Sequence, residues 1–389
     1  MQQYDFDKYI ERSGTHSVKW DHYPKDVLPL WVADMDFPSP PEVLTELKKR
    51  VEHGIFGYTY PPAELMNVLQ ERMQALYHWE VNPDWFVLTP GVVSGLNLFC
   101  HAFSTQNRNV VVQTPVYPPI LHAADVTHLH KREVPLFQAE NGRYEIDFDL
   151  FETAVNGEPS QFILSNPHNP TGRVFTRPEL QQLAEICLRH DALICSDDIH
   201  SDLIFSGSQH IPIASLSKEI EKRTITFIAP SKTFNIAGLG CSVAIISDPG
   251  LRKQYSQVRD AYAGHVNALG LTAALAAYRD GADWLKNLIA YLESNRNKLT
   301  DFVQSSLPGV KIYPAEGTYL AWLDCRQLDL LPSPCEYFVR EAKVGLNNGL
   351  DFGEPGRGFV RLNFGCSKNV LLEALQRIKS TISKRHGVE

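Results

Sequence analysis

The chain has 389 residues, of which 43% are apolar and 21% charged, and its formal net charge is −8. That length allows a large core and two domains, and the apolar and charged fractions are those of a soluble globular protein. The acidic balance argues against nucleic acid as a main partner, and no uninterrupted apolar stretch reaches the length of a membrane span.

The opening residues Met1–Asp7 have neither a positive region nor an apolar run, so they do not read as a signal peptide. Seven cysteines without a C-x-x-C pair suit small core positions in a reducing compartment better than a disulfide framework. The expectation is a cytoplasmic protein. No metal site is expected, because His122, His128 and His130 lie on a polar stretch with no cysteine nearby.

Along the chain, the segment to about Pro41 is rich in Trp, Pro and Asp and reads as packing on a later domain. Thr89–Gly95 is a run of small residues that leads into an apolar helix, Leu96–Phe103. Such a helix start leaves backbone N–H groups open to an anion, making the run a candidate phosphate cradle. Short apolar runs at Val110–Gln113, Phe162–Ser165, Ala192–Ser196, Ile225–Ala229 and Ser242–Ile246 read as buried strands. Arg177–His190 reads as a helix, with Thr176 as N-cap, Pro178 in the first turn and Leu180, Leu183, Ala184 and Cys187 on one face. Strands and helices that alternate in this way predict an α/β fold with a mostly parallel sheet flanked by helices.

The pattern changes after about Asp283. An amphipathic stretch, Trp284–Leu307, is followed by short strands at Lys311–Tyr313, Tyr319–Leu323 and Phe359–Asn363 and a last helix from about Asn369 to Lys384. Three parts are expected: an N-terminal segment, 1–45, packed on the small domain; a large domain, 46–283; and a smaller α+β domain, 284–389.

The chemistry gathers at strand ends. Ile225–Ile228 delivers the chain to Ala229-Pro230-Ser231-Lys232, and a lysine just past a buried strand can lose its proton and attack an aldehyde. Asp197 ends the run Ala192–Ser196, where a carboxylate needs a partner; a protonated pyridine nitrogen would serve, as would the N-terminus of a following helix. Asp198 reads as the better helix cap. His200, three residues past Asp197, is either a core histidine or a hydrogen-bonding group for a ring oxygen. Asn169 sits in Asn166-Pro167-His168-Asn169-Pro170-Thr171-Gly172, a doubly punctuated turn that would hold its amide rigidly. Tyr117 offers a ring to stack on a flat cofactor or to fill core. Arg361 alternates with apolar neighbours on a strand, as for bidentate capture of a carboxylate or a structural ion pair. Neither a G-x-x-x-x-G-K-[ST] loop nor a G-x-S-x-G elbow is present.

Together these residues resemble the fold-type I enzymes of the aspartate aminotransferase superfamily, which depend on pyridoxal 5'-phosphate. The likeness spans nearly the whole chain and is narrowest to the MalY/PatB group of cystathionine β-lyases. It is carried by Trp31-Val32-Ala33-Asp34-Met35-Asp36-Phe37, by Phe56-Gly57-Tyr58-Thr59, by the Asn166–Gly172 turn, and by Asp197–Leu203 with Pro230–Asn235. The resemblance implies that Lys232 links to the cofactor and shuttles protons, that Asp197 pairs with the ring nitrogen, and that Asn169 and His200 address the 3-oxygen. It implies further that Tyr117 stacks on the ring and that Gly91, Val92 and Ser231 hold the phosphate, with Tyr58 of a second subunit in a homodimer. Arg361 would bind the substrate carboxylate, with the Ala33 backbone beside it.

Three positions depart from the wider pattern. Gly240 stands where aminotransferases commonly carry a phosphate-binding arginine, Ala229 where a hydroxyl is common, and Asp198 where the lyase group often has Glu. The implied activity is β-elimination from an L-amino acid such as cystathionine, giving a thiol, pyruvate and ammonia. The rivals are an aminotransferase on the same fold and a regulatory protein that keeps the cofactor as a structural element.

Overall fold

The computed structural model describes residues 4–106 and 108–386. Its centre is a seven-stranded sheet of β1 (Phe86–Thr89), β2 (Asn109–Thr114), β3 (His130–Pro135), β4 (Ser160–Ser165), β5 (Leu193–Asp197), β6 (Thr224–Ile228) and β7 (Ser242–Ile246), in the order β1-β7-β6-β5-β4-β2-β3. Strand β7 runs antiparallel to both its neighbours, and the other neighbouring strands pair in parallel. The expected mostly parallel α/β sheet is therefore present.

Every residue of β2, β4, β5, β6 and β7 is buried, as expected for strands covered on both faces. Alternate residues serve different faces. Val110 and Val112 join a cluster with Leu96 and Phe99 of α3 (Val92–Ala102), while Val111 joins one with Leu180 and Leu183 of α4 (Arg177–Arg189). Helix α4 starts as predicted, with Thr176 and Glu179 forming a capping box. Helices α1 (Pro41–Glu52) and α2 (Ala63–Tyr77) precede the sheet, and α5 (Ala268–Asp280) follows it. Gly95 lets α3 lie on the sheet, since a Cβ there would stand 2.3 Å from the Phe227 ring.

Two sheet strands lie outside the apolar runs. The edge strand β3 reads His-Lys-Arg-Glu-Val-Pro and buries only Val134, so it has no hydrophobic signature. Strand β1 has just four residues. Helix α3 also begins four residues before the predicted Leu96, which makes Val92–Gly95 its first turn and Gly91 its N-cap.

Beyond the sheet, α6 (Ala282–Ser306) leads to a four-stranded antiparallel sheet of β8 (Lys311–Ile312), β9 (Leu320–Asp324), β10 (Asn347–Asn348) and β11 (Phe359–Asn363), ordered β8-β9-β11-β10. Helix α7 (Lys368–His386) closes the fold. The N-terminal segment reaches this region, where Leu28–Pro29 pairs in parallel with Val344–Gly345 and Leu30 accepts a bond from the Asn363 N–H at 2.9 Å. Among the described residues no helix is long and apolar enough to cross a membrane, and no cluster of His, Cys, Asp and Glu suits a metal ion. All seven cysteines are free, and all but the half-buried Cys335 are buried.

Candidate active site

The carboxyl ends of the parallel strands converge on one cavity of about 210 Å³. Asp197 is the last residue of β5, Lys232 follows β6 in the one-turn helix Pro230–Thr233, and Asn169 and Tyr117 lie just past β4 and β2. This is where an open α/β sheet places ligand-binding groups. His200, Ser231 and Ala33 complete the wall, and Gly91 and Val92 approach from the start of α3.

Lys232 Nζ donates to the Ala33 carbonyl at 2.7 Å. Burial brings its pKa down to about 8, with the positive Arg361 acting in the same direction and Asp34 and Asp197 opposing. Burial pushes Asp197 up to about 7; the bond from the Ile199 N–H opposes this, Asp198 adds to it and Lys232 opposes it. The Ile199 bond, at 3.2 Å, is the hydrogen bond its side chain accepts among the described residues. His200 is pulled down to about 3 by burial and by Lys232 and Arg361, and its Nδ1 is buried without a hydrogen-bond partner among the described residues. The site thus holds a nucleophilic amine titrating near neutrality, a carboxylate short of donors and a neutral imidazole.

Arg361 does not line the cavity itself but reaches it through Asn169, whose Oδ1 accepts from Nη1 at 2.9 Å. Its Nη2 donates to Trp31 O at 3.1 Å and to Asn347 Oδ1 at 2.6 Å, while Nε is buried without a partner among the described residues. Burial lowers its pKa to about 10. A guanidinium whose hydrogen-bond partners among the described residues are three neutral oxygens, with Asp351 acting on it only at a distance, suits an incoming carboxylate.

The segment Val32–Phe37 is strapped from two sides. Asn363 Nδ2, two residues along β11 from Arg361, donates to Val32 O and Asp34 O at 2.6 Å each. Asn235, three residues past Lys232, donates to Met35 O and Phe37 O and accepts from the Met35 N–H. Tyr319 Oη donates to the Ala33 carbonyl at 2.8 Å. Position i+2 to Arg361 on one strand face would have pointed to Asn363; no sequence pattern singles out Tyr319 or Asn347.

At the opposite end, α3 has no side-chain cap, and a Cβ on Gly91 would meet nothing within 4 Å. Among the described residues no side chain caps its first-turn amides, which suits an anion. Gly240 has φ +56°, and a Cβ there would stand 2.9 Å from Pro90 O. The departure at Gly240 therefore has a steric basis: an arginine there would displace Pro90, the residue before the N-cap.

One expectation changes. Asp198 caps no helix, because turns follow β5; its side chain is buried against Ser196 and His210. Tyr58 is fully exposed and does not line this chain's cavity. Phe56 and Tyr60 beside it are exposed as well.

The model of the family "Aminotransferase class I and II" matches residues 25–378. The chain is 42% identical to cystathionine beta-lyase PatB of Bacillus subtilis (strain 168), over 97% of this chain and 100% of that protein. Cystalysin of Treponema denticola, whose crystal structure contains a pyridoxal 5'-phosphate cofactor, superposes with a TM-score of 0.95 at 34% identity, covering 98% of this chain and 100% of that one. The PLP-bound C-S lyase of Staphylococcus hominis superposes with a TM-score of 0.92 at 33% identity, over 98% and 99% of the two chains. The chain belongs to the class I and II aminotransferase family, and within it to the group that includes PatB.

Proposed function

We propose that this protein is a pyridoxal 5'-phosphate-dependent carbon–sulfur β-lyase, in which L-cystathionine or a related cysteine S-conjugate gives a thiol, pyruvate and ammonia. The observation that carries the reading is kinship along the full chain with cystathionine beta-lyase PatB. The cavity suits the cofactor: Asp197 is a buried carboxylate short of donors, His200 Nδ1 has no partner among the described residues, and the Gly91 edge is open.

Bound pyridoxal phosphate supplies a carbonyl for the substrate amine and an electron-withdrawing ring that acidifies the α-carbon. Asp197 keeps the ring nitrogen protonated. Asn169 and His200 address the 3-oxygen, Tyr117 stacks on the ring, and Gly91, Val92 and Ser231 hold the phosphate. Arg361 binds the substrate α-carboxylate beside the Ala33 backbone, which orients the α-hydrogen toward Lys232. Lys232, its pKa lowered toward neutrality, takes that proton and returns one to the departing sulfur. Hydrolysis of the remaining three-carbon unit then yields pyruvate and ammonia, so cystathionine and water give homocysteine, pyruvate and ammonia.

In this reading the protein is a cytoplasmic homodimer in which Tyr58 completes the phosphate site of the partner subunit; the exposure of Phe56, Tyr58 and Tyr60 supports it. The domain division is 1–45, 46–283 and 284–389. The test is incubation of the loaded protein with L-cystathionine in the absence of any 2-oxo acid. Equimolar pyruvate and thiol are expected. Turnover only after a 2-oxo acid is added would make the protein an aminotransferase instead, and unchanged turnover in Lys232→Ala would remove both readings.

A further inference from the structure

Behind the cavity, side chains from three segments meet in the core. Asp198 Oδ1 accepts from Ser196 Oγ at 2.5 Å and Oδ2 accepts from His210 Nε2 at 2.9 Å. The His210 and Asp198 side chains are each 1% exposed. His210 Nδ1 lies 3.4 Å from Asn166 Nδ2. The orientation of Asn166 is fixed, because the Phe175 backbone N–H, which can only donate, sits 3.1 Å from its Oδ1. The amide nitrogen is then the atom turned toward His210, so Nδ1 accepts and the ring proton is on Nε2, pointing at Asp198. The Asp198 carboxyl thus accepts from two donors, the Ser196 hydroxyl and the His210 Nε2–H.

That carboxyl lies one residue from Asp197. The other groups that face this pair are Lys232 and Tyr117 across the cavity, and Tyr77 and Cys195 in the core. A buried carboxylate beside another is costly unless a cation shares the site. Lys232 alone serves both carboxylates poorly, since its own amine is partly neutral near pH 8.

We propose that Asp198 is a positioning residue: fixed by donors from Ser196 and His210, it sets a second carboxylate behind Asp197 and so strengthens the hold of Asp197 on a protonated ring nitrogen. The proposal rests on the reading of Asp197 given above. It assigns the Asn166–His210 contact a role as well, that of fixing the imidazole tautomer whose Nε2–H donates to Asp198.

Two measurements on three variants test it. Asp198→Asn keeps the shape and removes the charge, Asp198→Glu keeps the charge, and Asp197→Asn removes the primary partner. Affinity of the cofactor-free protein for pyridoxal phosphate is measured first, by its visible absorption. Thermal unfolding of the cofactor-free protein between pH 5 and pH 8 is measured second. Asp197 titrates near 7 in the folded chain against about 3.9 unfolded, so stability falls as pH rises through that window. In Asp198→Asn that fall shrinks and affinity drops about tenfold, the equivalent of roughly one pKa unit. In Asp198→Glu both stay near wild type.

A wild-type slope and affinity in Asp198→Asn would overturn the proposal. So would equal damage in Asp198→Glu, which would make the residue a packing element. Undiminished affinity in Asp197→Asn would instead sink the reading of Asp197 on which the proposal stands.

Discussion

Gly240→Ala is a sharp test of how the anion end of the cavity is built. The new Cβ would meet two penalties at once. A non-glycine residue at φ +56° costs about 1–2 kcal/mol. Its 2.9 Å approach to Pro90 O forces a backbone shift, which as overpacking costs about 1–3 kcal/mol. A combined loss of about 3 kcal/mol corresponds to roughly 4 °C for 389 residues, at about 2.1 cal/mol/K of unfolding entropy per residue. The assay is thermal unfolding of the cofactor-free protein beside Gly238→Ala, whose Cβ meets nothing within 4 Å. The control should melt within about 1 °C of wild type, as surface substitutions cost under about 0.5 kcal/mol. Because the shift falls on Pro90, next to the N-cap Gly91, affinity for pyridoxal phosphate should fall by more than the stability loss alone explains. Gly240→Ala that melts and binds like wild type would refute the claim that close packing on Pro90 shapes this end.

Arg361→Lys would lose the three-way grip on Asn169, Asn347 and Trp31; steady-state kinetics should show KM raised about 30- to 160-fold, or about 2–3 kcal/mol, with a smaller change in kcat. In the cofactor-free protein, Lys232 should become acylated with a half-maximum near pH 8, because its neutral fraction grows as pH rises through the lowered pKa. Mass mapping against solvent lysines, which react only near pH 10, checks this. Asn363→Ala would free the Val32 and Asp34 carbonyls; urea unfolding should show a loss of about 1–3 kcal/mol, with KM rising as the Ala33 segment loosens.

The sheet was legible wherever burial on both faces forces an unbroken apolar run, as in β2, β4, β5, β6 and β7. Strand β3 was not, because a sheet edge permits the charged sequence His-Lys-Arg-Glu. The cavity was readable because chemistry sits at strand ends: Lys232 after β6, Asp197 closing β5, Asn169 after β4. Contacts made across the fold left no such trace. Asp198 is joined to His210, twelve residues on, through an irregular loop, so local sequence suggested a cap where the structure has a buried pair. Tyr319 and Asn347 reach the site from a second sheet whose docking no periodicity encodes.

The carbonyl of Ala33 receives two donors, the Lys232 amine and the Tyr319 hydroxyl. On the proposed reading, the lysine has to leave its resting partner whenever it is needed elsewhere. An ordinary buried carbonyl abandoned in that way would be stranded without a donor and would pull its loop out of place. Here the tyrosine stays behind. The amine can swing between tasks with little disturbance to the backbone it leaves, so the resting position is a berth with a permanent second mooring rather than a trap.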